Sequence, residues 1–179
     1  MVGSGCFALA SLPGASSLSA EAVGLVYFTG SIFFTLAAFE QLRTARGGDR
    51  LDLLASGVQA VGTLLFNLDT FDAMSDSLTT DQQELLVWVP DALGSVCFLV
   101  ASVVAVAVVW GDRFFAPARR VARLNLVGSI AFGASAIAAW VVPDTGELFD
   151  ATVATSATLL GALCFLYAAF LLSRQIPTD

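Results

Sequence analysis

Apolar residues run in five long blocks separated by short polar segments: Ala22–Leu42, Leu51–Phe71, Pro90–Trp110, Val121–Val142 and Phe149–Leu172. A helix needs about 20 mainly apolar residues to cross the hydrocarbon core of a bilayer. The pattern therefore predicts an all-α, polytopic membrane bundle of five transmembrane helices, with spans at about 22–42, 51–71, 90–110, 121–142 and 149–172. A soluble helical repeat would need polar outer faces, and Leu99–Val109 is apolar apart from Ser102.

Each block carries one copy of a short phrase, Gly-small-aliphatic-x-Phe. It reads GSIFF at Gly30, GTLLF at Gly62, GSVCF at Gly94, GSIAF at Gly128 and GALCF at Gly161. At 100° per residue the glycine, the phenylalanine four residues on (Phe34, Phe66, Phe98, Phe132, Phe165) and the residue seven on share one stripe. Those seventh residues are Ala37, Asp69, Ala101, Ser135 and Ala168. Three residues before each glycine the same stripe holds Tyr27, Gln59, Asp91, Asn125 and Thr158, all polar. Lipid offers polar side chains no partner, so this stripe is expected to face inward. Glycine lets backbones approach closely, which membrane helices exploit because lipid gives them no hydrophobic drive to associate. The repeat reads as a packing rule, and its polar positions as a candidate ligand path.

Composition agrees. Of 179 residues, 57% are hydrophobic and 13% charged, against roughly 45–50% and 25% in soluble domains. Charge then adds direction. All eight basic residues are arginine. Arg43, Arg46 and Arg50 surround the first loop, Arg113, Arg119, Arg120 and Arg123 the third, and Arg174 follows the last span. Basic residues are retained on the cytoplasmic side, so the expected topology in the cell membrane is N-terminus outside and C-terminus inside. Trp88 and Trp110 flank the third span about 33 Å apart at the helical rise, as interfacial anchors would. Residues 1–21 have no basic start of a secretory signal and are expected to form a flexible external tail; residues 174–179 are expected to form a cytoplasmic one. The acidic residues between Asp72 and Glu84, Asp76 and Asp81 included, lack the alternation of a calcium loop and read as a solvated outer loop.

The chain has no histidine and no lysine, which excludes a Ser-His-Asp triad and His-bearing zinc sites. Cys97 and Cys164 share one repeat position and read as small buried hydrophobes. No cofactor, metal or enzymatic chemistry is expected, and no nucleic-acid partner. Ionisable groups within a membrane are functional candidates by default, and Asp91 leads, followed by Asp69, Glu40, Gln59 and Asn67. A path along the stripe would use Asp91, Gln59, Asn125 and Thr158. Against this, Pro90 suits a first helical position, which would make Asp91 a helix-start carboxylate facing the dipole.

The segments YFTGSIFFTLAAFEQL, VGTLLFN, PDALGSVCF, LNLVGSIAFGASAIAA and GALCFL resemble the YrhK-like family of small multipass membrane proteins. The resemblance implies a unit built from helix pairs and no established activity. The expected function is that of a structural or partner-binding membrane component, surrounded by lipid and associating with itself or another membrane protein. The alternative is a small transporter or channel for a proton, cation or small solute.

Overall fold

The computed structural model describes residues 1–75, 77–110 and 116–174. Arg113, Asp76 and residues 175–179 of the expected tail lie outside the described residues. Among the described residues six helices longer than one turn form: α1 (Val2–Ala10), α2 (Ala20–Ala45), α3 (Arg50–Asp72), α4 (Thr80–Val109), α5 (Ala116–Ala138) and α6 (Ala151–Ser173). The last five are long and apolar enough to cross a membrane, and the chain is a helical membrane protein. Among the described residues the one β-type pairing is the bridge between Val141 and Leu148.

Helix ends follow local chemistry. Asp49 caps α3, Asp150 caps α6 with Oδ1 accepting from the Val153 N–H at 2.9 Å, and Thr79 and Gln82 form a reciprocal capping box at the start of α4. Such caps satisfy N–H groups that have no partner within the helix. The fourth span ends at Ala138 rather than at Val142. Pro143 stops the helix, and residues 141–148 fold into a hairpin closed by the Val142 N–H on the Glu147 carbonyl at 2.8 Å, with Gly146 at φ 69°. A positive φ suits glycine.

The expected flexible tail over residues 1–21 is not what forms. Val2–Ala10 is a helix whose Gly3, Ser4, Phe7, Ala8 and Ala10 are buried against α2 and α6. The reason is in its own residues: Gly3-Ser4-Gly5-Cys6-Phe7 repeats the phrase found in each span, differing at the aliphatic position. The bundle thus contains six copies, and they pair.

Within α1–α2, α3–α4 and α5–α6 the two glycines face one another. A Cβ built on Gly62 would meet the Gly94 carbonyl oxygen at 3.1 Å, and one on Gly94 the Gly62 oxygen at 3.2 Å. The corresponding distances are 2.8 and 3.0 Å for Gly3 and Gly30, and 3.1 and 3.0 Å for Gly128 and Gly161. In each pair a phenylalanine fills the space beside the partner's glycine: Phe7 at Gly30, Phe98 at Gly62, Phe66 at Gly94, Phe165 at Gly128 and Phe132 at Gly161. Cys6 and Cys97 pack at Gly30 and Gly62 too, as small apolar groups.

The six phenylalanines stack as two triangles at the centre of the bundle. Phe7, Phe66 and Phe132 lie 5.9–6.4 Å apart by ring centroids, and Phe34, Phe98 and Phe165 lie 5.6–6.2 Å apart. Within pairs the separation is 5.0–5.3 Å, a range in which aromatic pairs attract beyond their burial. Three helix pairs therefore surround an approximate threefold axis.

The residues after Gly30, Gly62 and Gly128 join neighbouring pairs. Ser31 accepts from Thr70 at 3.0 Å across α2–α3, and the Ser102 and Ser129 hydroxyls lie 2.8 Å apart across α4–α5. Buried positions are mostly Gly, Ala, Ser, Thr and Phe, while Leu36, Leu68, Val96, Val103, Ile130, Ile137 and Leu160 are exposed on the outside. That inversion is what a lipid solvent requires. Ala37, expected on the inward stripe, is exposed, because nine-residue α1 covers only part of α2.

Candidate functional site

Consecutive long helices run in opposite directions, and this splits the polar stripe. In α2, α4 and α6 the residue three before the glycine lies toward the face carrying the 73–79 and 139–150 connections. In α3 and α5 that same face receives the residue seven after the glycine. One end of the bundle core thus collects Tyr27, Asp91 and Thr158 from one set and Asp69 and Ser135 from the other. These five residues line one cavity of about 210 Å³. Its floor is the Phe7, Phe66 and Phe132 triangle, and Thr70 and Thr155 complete its polar wall.

Gln59 and Asn125 do not join this chamber. They occupy the same stripe, but α3 and α5 carry them to the arginine side of the glycine level. The expected path through Asp91, Gln59, Asn125 and Thr158 is therefore not continuous: two phenylalanine triangles stand between its two halves.

A second cavity of about 300 Å³ adjoins the first and leads toward the hairpin face. Leu78, Val87, Trp88, Val141 and Leu148 give it apolar walls. Tyr27, Asp69, Thr70, Asp91 and Ala139 line both cavities, so the two carboxyl groups stand at the neck between them.

Asp91 is not at a helix start. Helix α4 begins at Thr80 and continues to Val109, so the dipole of a free N-terminus is displaced by some three turns. Pro90 lacks the N–H that an α-helical bond would use, and the chain absorbs this with a π-helical stretch over Gln83–Trp88. Such stretches often mark functional positions. The same segment is helical and continuous with the span, and the Trp88 indole N–H donates to the Ala136 carbonyl at 2.8 Å. Trp88 is thereby part of the vestibule wall rather than a simple interfacial anchor. Trp110 is exposed, with the Arg123 guanidinium 5.7 Å from its ring.

The hydroxyl hydrogens of the chamber are spoken for. Ser11 donates to the Phe7 carbonyl at 2.8 Å, leaving the Tyr27 hydroxyl to donate to Ser11 at 2.7 Å. Thr70 divides its one hydrogen between the Phe66 carbonyl and Ser31, and Thr155 donates to the Ala151 carbonyl at 2.9 Å. Ser135 and Thr158 share the Ala154 carbonyl at 2.8 and 3.0 Å and lie 2.7 Å from each other. A hydroxyl has one hydrogen and two acceptor lone pairs, so what these groups have left to offer a ligand is acceptors.

Asp69 is 7% exposed, and its Oδ1 has no hydrogen-bond partner. Asp91 is half-buried, and the two carboxyl groups act on one another electrostatically. No arginine lines either cavity. The chamber is acceptor-rich and carboxyl-bearing, open toward one face and floored by aromatic rings. Asp69 was legible as a seventh-position residue, but Thr70, Thr155 and Ala139 were not, because their inward placement depends on how neighbouring pairs meet.

Glu40 takes no part in the chamber: it is exposed and pairs with Arg43 at 2.7 Å. Asn67 lies at the α2–α3 seam, where its Nδ2 donates to Thr35 at 2.9 Å. Among the described residues no group of three or more His, Cys, Asp or Glu side chains is placed to hold a metal. No protein-family model, curated protein or solved structure matches this chain.

Proposed function

We propose that the protein is a small transporter of the cell membrane that takes a cation into the chamber from the face opposite the arginines. One observation carries this reading. Asp69, more than nine-tenths buried and with its Oδ1 lacking a hydrogen-bond partner, lines a cavity that Asp91 also lines. The packing of the bundle uses neither group. Glycines and phenylalanines build the pairs, serines and threonines join them, and a purely structural bundle would do the same with apolar residues at both positions. Ionisable groups inside a membrane are costly and face a ligand or a water-filled cavity. A cation supplies the missing partner.

The aromatic floor argues against an open pore. Passage to the arginine side requires the pairs to shift against one another, and the serine and threonine seams are the surfaces along which they would slide. By the arginine asymmetry, the chamber opens to the outside. The YrhK-like resemblance fits the helix-pair construction and contributes nothing to the choice of ligand.

Proteoliposomes test the reading. Wild-type protein is expected to carry a monovalent cation above the rate of protein-free vesicles. Asp69→Asn and Asp91→Asn keep the side-chain shape and should each lower flux at least tenfold while the fold survives. Absence of both binding and flux for every cation tried, protonated amines included, would return the protein to the structural role.

A further inference from the structure

We propose that the cation is an organic ammonium with an apolar body, its charged head held between Asp69 and Asp91. This rests on the reading of the chamber as a cation site and names the class of ligand.

Three observations separate an ammonium from a metal ion. The first is size. The inner cavity of about 210 Å³ is several times the roughly 30 Å³ that one water occupies in the liquid. A single dehydrated ion would leave most of it empty. The second is the character of the walls around the carboxyl groups. Asp69 and Asp91 line both cavities, with phenylalanine rings on one side and Val87, Trp88 and Leu148 on the other. A metal ion gains nothing from such walls, whereas a hydrocarbon body loses its contact with water there.

The third is the hydrogen-bond inventory. The chamber hydroxyls donate to backbone carbonyls or to one another, so what they offer a ligand is acceptors. An ammonium brings only donors. Among the described residues no group of three or more His, Cys, Asp or Glu side chains is placed to hold a metal ion. The Asp69 carboxyl, which has one oxygen without a partner, takes one ammonium hydrogen and Asp91 another.

The chain has three tryptophans, and Trp88 lines the vestibule. Trp110→Phe with Trp140→Phe makes it the sole reporter, in protein held in lipid nanodiscs. Butylammonium is expected to change Trp88 emission saturably, with 1-butanol, sodium and potassium at matched ionic strength giving no saturable change. Calorimetry in parallel registers binding that leaves emission unaltered. Asp69→Asn and Asp91→Asn should each weaken butylammonium binding at least tenfold. Ala139→Leu, which fills the neck and keeps both carboxyl groups, should abolish it. Saturable, Asp91-dependent binding of sodium or potassium without butylammonium binding would overturn the ammonium and leave the cation site standing. Butylammonium binding undiminished in all three variants would place it elsewhere and overturn the proposal. No binding of any cation would remove both readings.

Discussion

At Gly161 a Cβ would stand 2.6 Å from the Phe132 ring and 3.0 Å from the Gly128 carbonyl oxygen. The ring is wedged in the central aromatic cluster and the carbonyl belongs to a helix, so neither yields easily. Gly133 lies in a helix too, and nothing approaches a Cβ there within 4 Å. One residue type therefore answers to two different forces. Gly161→Ala should lower stability by about 1–3 kcal/mol through overpacking. Gly133→Ala should raise it by up to about 1 kcal/mol, the helix-propensity difference. Thermal unfolding in a fixed detergent measures both, and shifts of the same sign would remove the glycine contact as the basis of pairing. The repeat made the close-contact glycines visible in the sequence, since Gly133 falls outside the phrase. Which glycine faces which was not visible, because pairing depends on connections and on the direction of each helix.

Among the elements, α1 shows how a strong local signal escapes a pattern based on length. Val2–Ala10 is far too short to cross a membrane, so hydropathy assigns it no span. The phrase was nevertheless present in Gly3–Phe7. Phe7 is 6% exposed and touches Tyr27, Phe34, Phe66 and Phe132 at centroid distances of 5.2–6.4 Å. Phe7→Ala should therefore cost about 3–5 kcal/mol, as for a core phenylalanine, and match Phe98→Ala in unfolding measurements. An unchanged melting temperature for Phe7→Ala would restore the flexible tail. Direction explains the other difference at this scale. A helical wheel places Gln59 and Asp91 on one stripe but ignores which way the chain runs. Antiparallel helices send equivalent positions to opposite ends, so the five-residue polar set divides and draws Asp69 and Ser135 into the chamber. The helix-start reading of Asp91 failed for a related reason: Pro90 was taken as a beginning, and the π-helical stretch before it lets the helix pass through.

For the whole molecule, the chamber's mouth and the arginines lie at opposite ends, so topology decides which compartment supplies the ligand. The mouth is bordered by Leu78, Gln83, Val141 and Leu148, and the segments that connect the helices at that end carry Asp81, Asp144, Glu147 and Asp150. That arrangement raises the local concentration of cations at the mouth, whatever the orientation. The arginine asymmetry gives the expected direction, since basic residues near span ends tend to be retained in the cytoplasm. A chain with Cys6, Cys97 and Cys164 replaced by alanine supports single-cysteine labelling. Ser77 and Gly47 are both exposed, and nothing lies within 4 Å of a Cβ at Gly47, so Ser77→Cys and Gly47→Cys should fold normally. A membrane-impermeant maleimide added to intact cells should label Ser77→Cys and spare Gly47→Cys until the membrane is opened. The chamber then draws from outside, and a flux assay should respond to substrate placed on the Ser77 side alone at the start of transport. Labelling of Gly47→Cys in intact cells with Ser77→Cys protected would invert the bundle. The carboxyl groups would keep their roles, but the chamber would be loaded from the cytoplasm.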